Sequence, residues 1–174
     1  FSSVISPVSK QLKNCMIDAN YQAKYQIIPN VVDTDKFHIG ELDTNKNNFT
    51  FLHVSTLDDS IKNVSGIIDA FEKIKHKNMV LKIIGDGPVD WIIKKVSTLK
   101  TKNTVIVESE KTHDQIAEEM QKADVFVLFS NIENLPLVLI ESISSGTPFI
   151  ATKVGGIPEL FNNELGRLVD AGSI

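Results

Sequence analysis

The sequence predicts an α/β fold: a Rossmann-like, three-layer α/β/α domain around a parallel sheet of about six strands. Three observations carry this. Short, nearly continuous apolar runs recur along the chain, as in Met79–Ile84 and Asp124–Phe129, the pattern of strands buried on both faces. Segments with helical apolar spacing separate them. The connections are short, and several hold Gly or Pro, which suits tight strand-to-helix turns.

Taken in order, residues 9–17 place Leu12, Cys15, Met16 and Ile17 on one face of a short helix. Tyr25–Ile28 reads as a short strand closed by Pro29 and Asn30, and residues 41–48 as loop. Strand-like runs then follow at Phe49–Val54, Met79–Ile84, Thr104–Val107, Asp124–Phe129, Phe149–Ala151 and Gly166–Val169. Between them, Val64, Ile67, Ile68, Phe71 and Ile74 keep helical spacing, as do Val89, Ile92, Ile93 and Val96. Thr112 and Gln115 form a capping box that opens a helix burying Ile116, Ala117 and Met120. Pro88 and Pro136 suit first-turn positions, where a missing N–H costs little. Asp58 and Asp59 read as a loop-and-cap pair.

A chain of 174 residues, 42% hydrophobic, is expected to be one soluble globular domain with a proper core. The net charge of −4, with both signs interspersed, argues against nucleic acid as a partner. A single cysteine, Cys15, excludes an internal disulfide and fits a reducing, cytoplasmic compartment. No apolar stretch nears the roughly 18 residues of a membrane span. His38, His53, His76 and His113 lack metal-ligand spacing, and there is no Asp-x-Asp motif, so neither metal nor cofactor is expected. The chain begins at Phe1 rather than methionine and is expected to be a piece of something longer.

The richest segment is Ser130–Glu141. A buried apolar run ends in small and polar residues; Glu133, then Pro136, then an apolar helix carrying Glu141 follow. In an open α/β sheet, ligands sit at the carboxyl ends of the strands, where helix N-termini favour phosphate. Carboxylates there would repel phosphate unless they have another purpose, and vicinal hydroxyls supply one. Phosphate plus diols describes a sugar nucleotide.

Glu133 and Glu141, with Ser145-Gly146-Thr147-Pro148 and Val154-Gly155-Gly156-Ile157-Pro158-Glu159 after them, resemble the donor-site signature of family-four (group 1) retaining glycosyltransferases of the GT-B fold. Asn30-Val31-Val32-Asp33 is similar to the family's hinge. The resemblance implies that residues 27–174 are the donor-binding domain and residues 1–26 the end of a first domain. It further implies that Glu141 binds ribose hydroxyls and that Glu133 faces the donor sugar at the reacting centre, orienting it and stabilising positive charge. Retention would follow a front-side course in which the leaving phosphate oxygen takes the acceptor proton. Lys62 matches the diphosphate lysine, whereas Thr56 stands where an arginine is expected; the Ser55 and Thr56 hydroxyls would take part instead. Asn134 and Leu135 replace a Gly-Phe pair, and Pro136 removes one backbone donor, which the Asn134 side chain would restore. Gly85-Asp86-Gly87-Pro88 is similar to the family's phosphate-side turn. Ile106 to Lys111 would lie near the base.

The donor implied is a UDP- or GDP-linked hexose, passed to a glycan or glycolipid acceptor held by a first domain that this chain lacks. That domain would place the enzyme at the inner membrane face as a peripheral protein. Two other classes stay open. A non-hydrolysing sugar-nucleotide epimerase would bind the same donor. A phospho-receiver-like signalling domain would use Asp58, Asp59 and Lys153, although Val107-Glu108 holds the place of its phospho-accepting aspartate.

Overall fold

The computed structural model describes residues 4–41, 45–160 and 164–172; part of the loop expected over 41–48 lies outside them. The chain opens with β1 (Val4–Ile5), α1 (Lys10–Asp18) and β2 (Lys24–Tyr25), and the two short strands pair in parallel. Next come β3 (Phe49–Ser55), α2 (Asp59–Lys62), α3 (Val64–Glu72), β4 (Met79–Gly85), α4 (Asp90–Val96), β5 (Thr104–Glu108) and α5 (His113–Lys122). The rest is β6 (Val125–Leu128), α6 (Leu137–Ser144), β7 (Phe149–Thr152), a 3-10 turn at Ile157–Leu160, and β8 (Gly166–Val169).

Six strands form one parallel sheet in the order β5-β4-β3-β6-β7-β8. The chain therefore works outward from β3 in one direction and then returns to build from β6 in the other. The boundary between β3 and β6 is the switch point of a doubly wound sheet, where ligand crevices form. Because successive strand residues face opposite ways, Leu52, Ile84, Phe126, Leu128, Phe149 and Ala151 meet α5 and α6 on one face. On the other face Leu81, Ile83, Val125 and Val127 meet α3 and α4. The sheet is thus covered on both sides, as the alternating sequence pattern requires.

The local signals behave unevenly. Thr112 and Gln115 form the complete capping box, and Asp58 caps α2 by accepting the Ser60 N–H at 3.0 Å. Pro136 is the N-cap of α6 and Pro88 precedes the N-cap Val89 of α4, so neither occupies the first helical turn. The first helix has no buried residue: Cys15 is exposed and Ile17 is 46% exposed, so its apolar face does not make the contact its spacing suggested. The strand expected at Tyr25–Ile28 shrinks to Lys24–Tyr25, since only β1 is there to pair with it.

Candidate functional site

The turns after β3, β4, β5 and β6 lie together at the carboxyl end of the sheet because all four strands run in parallel. Glycines bring these turns into contact. A Cβ on Gly85 would stand 1.9 Å from the Ser55 carbonyl oxygen, so only glycine lets the β3 and β4 turns touch. At Gly155 (φ +54°) a Cβ would fall 1.7 Å from the Glu133 carbonyl oxygen, which pins the loop after β7 under the loop after β6. Next to it, the Gly156 N–H donates to the Asn134 carbonyl at 2.5 Å, and the Asn30 amide donates to the Leu135 carbonyl at 2.6 Å. The 133–135 loop is held from two sides.

Inside this frame Lys62 and Glu133 meet. Lys62 Nζ lies 2.5 Å from Glu133 Oε1, with side chains 17% and 9% exposed. The Ser130 hydroxyl donates to the same oxygen at 2.7 Å, and Thr152 donates to the Ser130 carbonyl. Glu133 Oε2 has no partner among the described residues. Asn131 ties the loop to the far end of α2: its N–H donates to the Ile61 carbonyl and its amide to that of Ser60. Residues 71 apart in sequence thus form one ion pair at the switch point.

Glu141 differs from every other acid among the described residues in being buried. It sits on α6, only 4% exposed, with no hydrogen-bond or ion-pair partner among the described residues. Burial pushes its carboxyl above the usual range, against the smaller pull of His113. A buried carboxylate without a donor costs stability, and hydroxyl groups would relieve that cost.

The remaining predicted residues fall into place less uniformly. Ser55 is turned inward: its Oγ lies 2.8 Å from His53 Nε2 and accepts the Leu57 N–H at 3.1 Å. Thr56 and Asn134 are exposed, whereas the Leu135 side chain is buried. Lys111 is committed to an ion cluster, 2.6 Å from Glu108 and 2.8 Å from Glu119, with Lys82 2.7 Å from Glu119. Burial alone would raise the Glu119 carboxyl, but bonds from Lys111 and Lys82 outweigh it and hold it below the usual range. Among the described residues no three His, Cys, Asp or Glu gather to hold a metal. His53, Ser130 and Asn30 were given no role at the site from the sequence, although a histidine inside an apolar strand run, and the places of Ser130 and Asn30 in the two resembling segments, were signals.

The phospho-receiver constellation is absent from its expected place. Asp58 caps α2, Asp59 accepts the Ser65 N–H at 2.7 Å, and Lys153 pairs with Asp170 at 3.1 Å. A cavity of about 510 Å³ opens elsewhere, lined by Thr50, Val80 and Lys82, and includes none of Lys62, Glu133 or Glu141.

The doubly wound parallel sheet thus carries a lysine–glutamate pair at its switch point and, on the helix after β6, a second glutamate without a partner among the described residues. The sequence profile described as "Glycosyl transferases group 1" matches residues 34–174, and the chain belongs to that family. It is 33% identical over 124 residues to the N-acetyl-alpha-D-glucosaminyl L-malate synthase of Bacillus anthracis, covering 70% of this chain and 32% of that one. It is 32% identical over 162 residues to an uncharacterised glycosyltransferase of Methanocaldococcus jannaschii, covering 91% and 42%. The chain thus spans a third to two fifths of these relatives. In fold it is similar to the Anabaena protein HepE in complex with UDP-glucose, with a TM-score of 0.84 at 23% identity over 99% of this chain and 51% of that one. No helix among the described residues is long and apolar enough to cross a membrane.

Proposed function

We propose that residues 27–174 are the donor-binding domain of a retaining glycosyltransferase that takes a hexose from a nucleoside diphosphate sugar, and that residues 1–26 end its other domain. The observation that carries this reading is Glu141, a buried carboxylate without a hydrogen-bond donor among the described residues. In the proposed complex it accepts the two ribose hydroxyls. Lys62 exchanges Glu133 for the diphosphate, an anion of higher charge. Glu133, released from Lys62 but still held by Ser130, turns Oε2 to the sugar hydroxyls and stabilises positive charge at the reacting carbon. The leaving phosphate oxygen takes the acceptor proton. No metal is needed in this scheme, since Lys62 supplies the cation.

HepE holds UDP-glucose at comparable fold, which favours a uridine diphosphate sugar as donor. The acceptor, a glycan or glycolipid, would be held by the other domain, and transfer would need a cleft closed from both sides. Calorimetry of the chain with UDP, GDP and ADP tests the proposal. One of the three should bind, and Glu141→Gln should lose most of that affinity. Absence of binding by all three would overturn it.

A further inference from the structure

The parallel ladder between β3 and β6 runs through Phe51↔Val125 and Leu52↔Phe126. One residue beyond it, at the switch point, stands His53. Its side chain is fully buried, and both ring nitrogens are engaged: Nδ1 lies 2.9 Å from the Val127 carbonyl oxygen and Nε2 lies 2.8 Å from Ser55 Oγ. A carbonyl can only accept, so Nδ1 carries the ring proton and the neutral Nε2 accepts from the Ser55 hydroxyl. That leaves a Ser55 lone pair for the Leu57 N–H. Polarity is therefore fixed along the whole chain of bonds, from Leu57 N–H through Ser55 and His53 to Val127.

Both ends of this chain matter. Leu57 has φ of +57°, a left-handed conformation that a leucine adopts only when its surroundings impose it, and its side chain is buried beneath the turn. The turn leads into α2, which carries Lys62. Val127 lies on β6, three residues before Ser130, the residue that fixes Glu133. Burial pulls the imidazole down to about 4, with Lys62 adding to the effect, so the ring stays neutral at pH 7.

We infer that His53, locked as its Nδ1–H tautomer, is a positioning residue that wedges β3 and β6 apart at a fixed separation and sets the turn delivering Lys62. Its part in binding rests on the donor-site reading above. The imidazole never touches the ligand. It acts through Ser55 and Leu57 on one side and through the root of the Glu133 loop on the other.

The test combines a spectroscopic signature with a coupling measurement on the whole chain. Long-range proton–nitrogen correlation of the histidines should show His53 protonated at Nδ1 and bare at Nε2 at pH 7. UDP and GDP affinities are then measured for His53→Asn, Ser55→Ala, Lys62→Ala and their pairs. His53→Asn keeps a donor near Val127 but loses Ser55, and Ser55→Ala leaves the ring in place should the first variant fold poorly. Each should weaken nucleotide binding about five- to tenfold, the factor carried by one lost hydrogen bond. Because both act through Lys62, neither should weaken it further once Lys62 is alanine. A wild-type chain that binds no nucleoside diphosphate overturns the donor-site reading and His53's part in it. A chain that binds, but shows a proton on Nε2 or effects that simply add to that of Lys62→Ala, overturns this inference alone.

Discussion

Replacing Glu141 by glutamine should make the protein more stable and worse at binding. Glu141 is 4% exposed, its carboxylate has no hydrogen-bond or ion-pair partner among the described residues, and burial has raised its pKa. A raised acid binds its proton more tightly in the folded chain, so its destabilising effect is absent at low pH and complete once pH has passed the folded pKa. Complete desolvation of an unpaired polar group costs about 1–3 kcal/mol, and more for a charge. Desolvation of Glu141 is incomplete, so a gain of about 1–2 kcal/mol at pH 7 is expected from Glu141→Gln. For a chain of this size that raises Tm by about 2–6 °C. Ligand affinity should move the other way, since a charge-assisted hydrogen bond contributes about 1.5–3 kcal/mol and its loss weakens nucleoside diphosphate binding by about 10- to 150-fold. Thermal melts at pH 5 and 8, with calorimetry on the same samples, read both quantities. The difference in Tm between variant and wild type should be larger at pH 8. A variant that is less stable at both pH values, or that binds nucleotide as well as wild type, would refute the reasoning. Either result would make Glu141 a structural acid.

Other outcomes follow from the same geometry. Glu133→Gln should leave nucleoside diphosphate affinity unchanged or tighten it, because Lys62 no longer has a carboxylate to leave; a clear loss of affinity in calorimetry would show that Glu133 grips the nucleotide itself. His53 has a folded pKa of about 4 against 6.5 ordinarily, so the unfolded chain takes up the proton first. Stability present above pH 6.5 should decline by about 3 kcal/mol as pH falls toward 4, best read as urea midpoints in a Glu141→Gln background; flat midpoints would count against a buried neutral ring. Gly155→Ala should cost about 1–3 kcal/mol and impair sugar-nucleotide binding, since its Cβ would strike the Glu133 carbonyl; wild-type stability and affinity would contradict that contact.

Much of this fold was legible because its signals are local. The capping box at Thr112, the cap at Asp58 and the alternation of apolar runs with helical spacing each depend on residues a few positions apart, and each is realised. The resemblance assigns Lys62 to the diphosphate and Glu133 to the sugar of one donor site; that the two side chains meet at 2.5 Å is a finding of the structure. What escaped was non-local or depended on context. His53 is 74 residues from the carbonyl it binds, and nothing near it in sequence announces that partner. The resemblance puts Lys111 in the loop near the base, yet Glu119, eight residues on in α5, claims its ammonium. The apolar spacing of α1 was real, but amphipathicity states only that a face could be buried, not that a neighbour exists to bury it.

That first helix is held by its end rather than by its side. The Glu159 carboxylate accepts the N–H groups of Lys10 and Gln11 at 2.9 and 2.8 Å, and Ser9, the N-cap, sits so close to Gly156 that a Cβ there would meet it at 2.8 Å. With no core contacts of its own, α1 should open far below the global unfolding free energy and exchange its amide protons as a separate unit. Yet its anchor lies in the turn whose Gly156 bonds the Asn134 carbonyl, beside the candidate donor loop. Anything that tugs on α1 would be felt there, and anything that reshapes the loop would loosen α1. Amide exchange in Lys10 to Asp18 should therefore act as a remote gauge of occupancy, slowing when a ligand settles against residues the helix never touches.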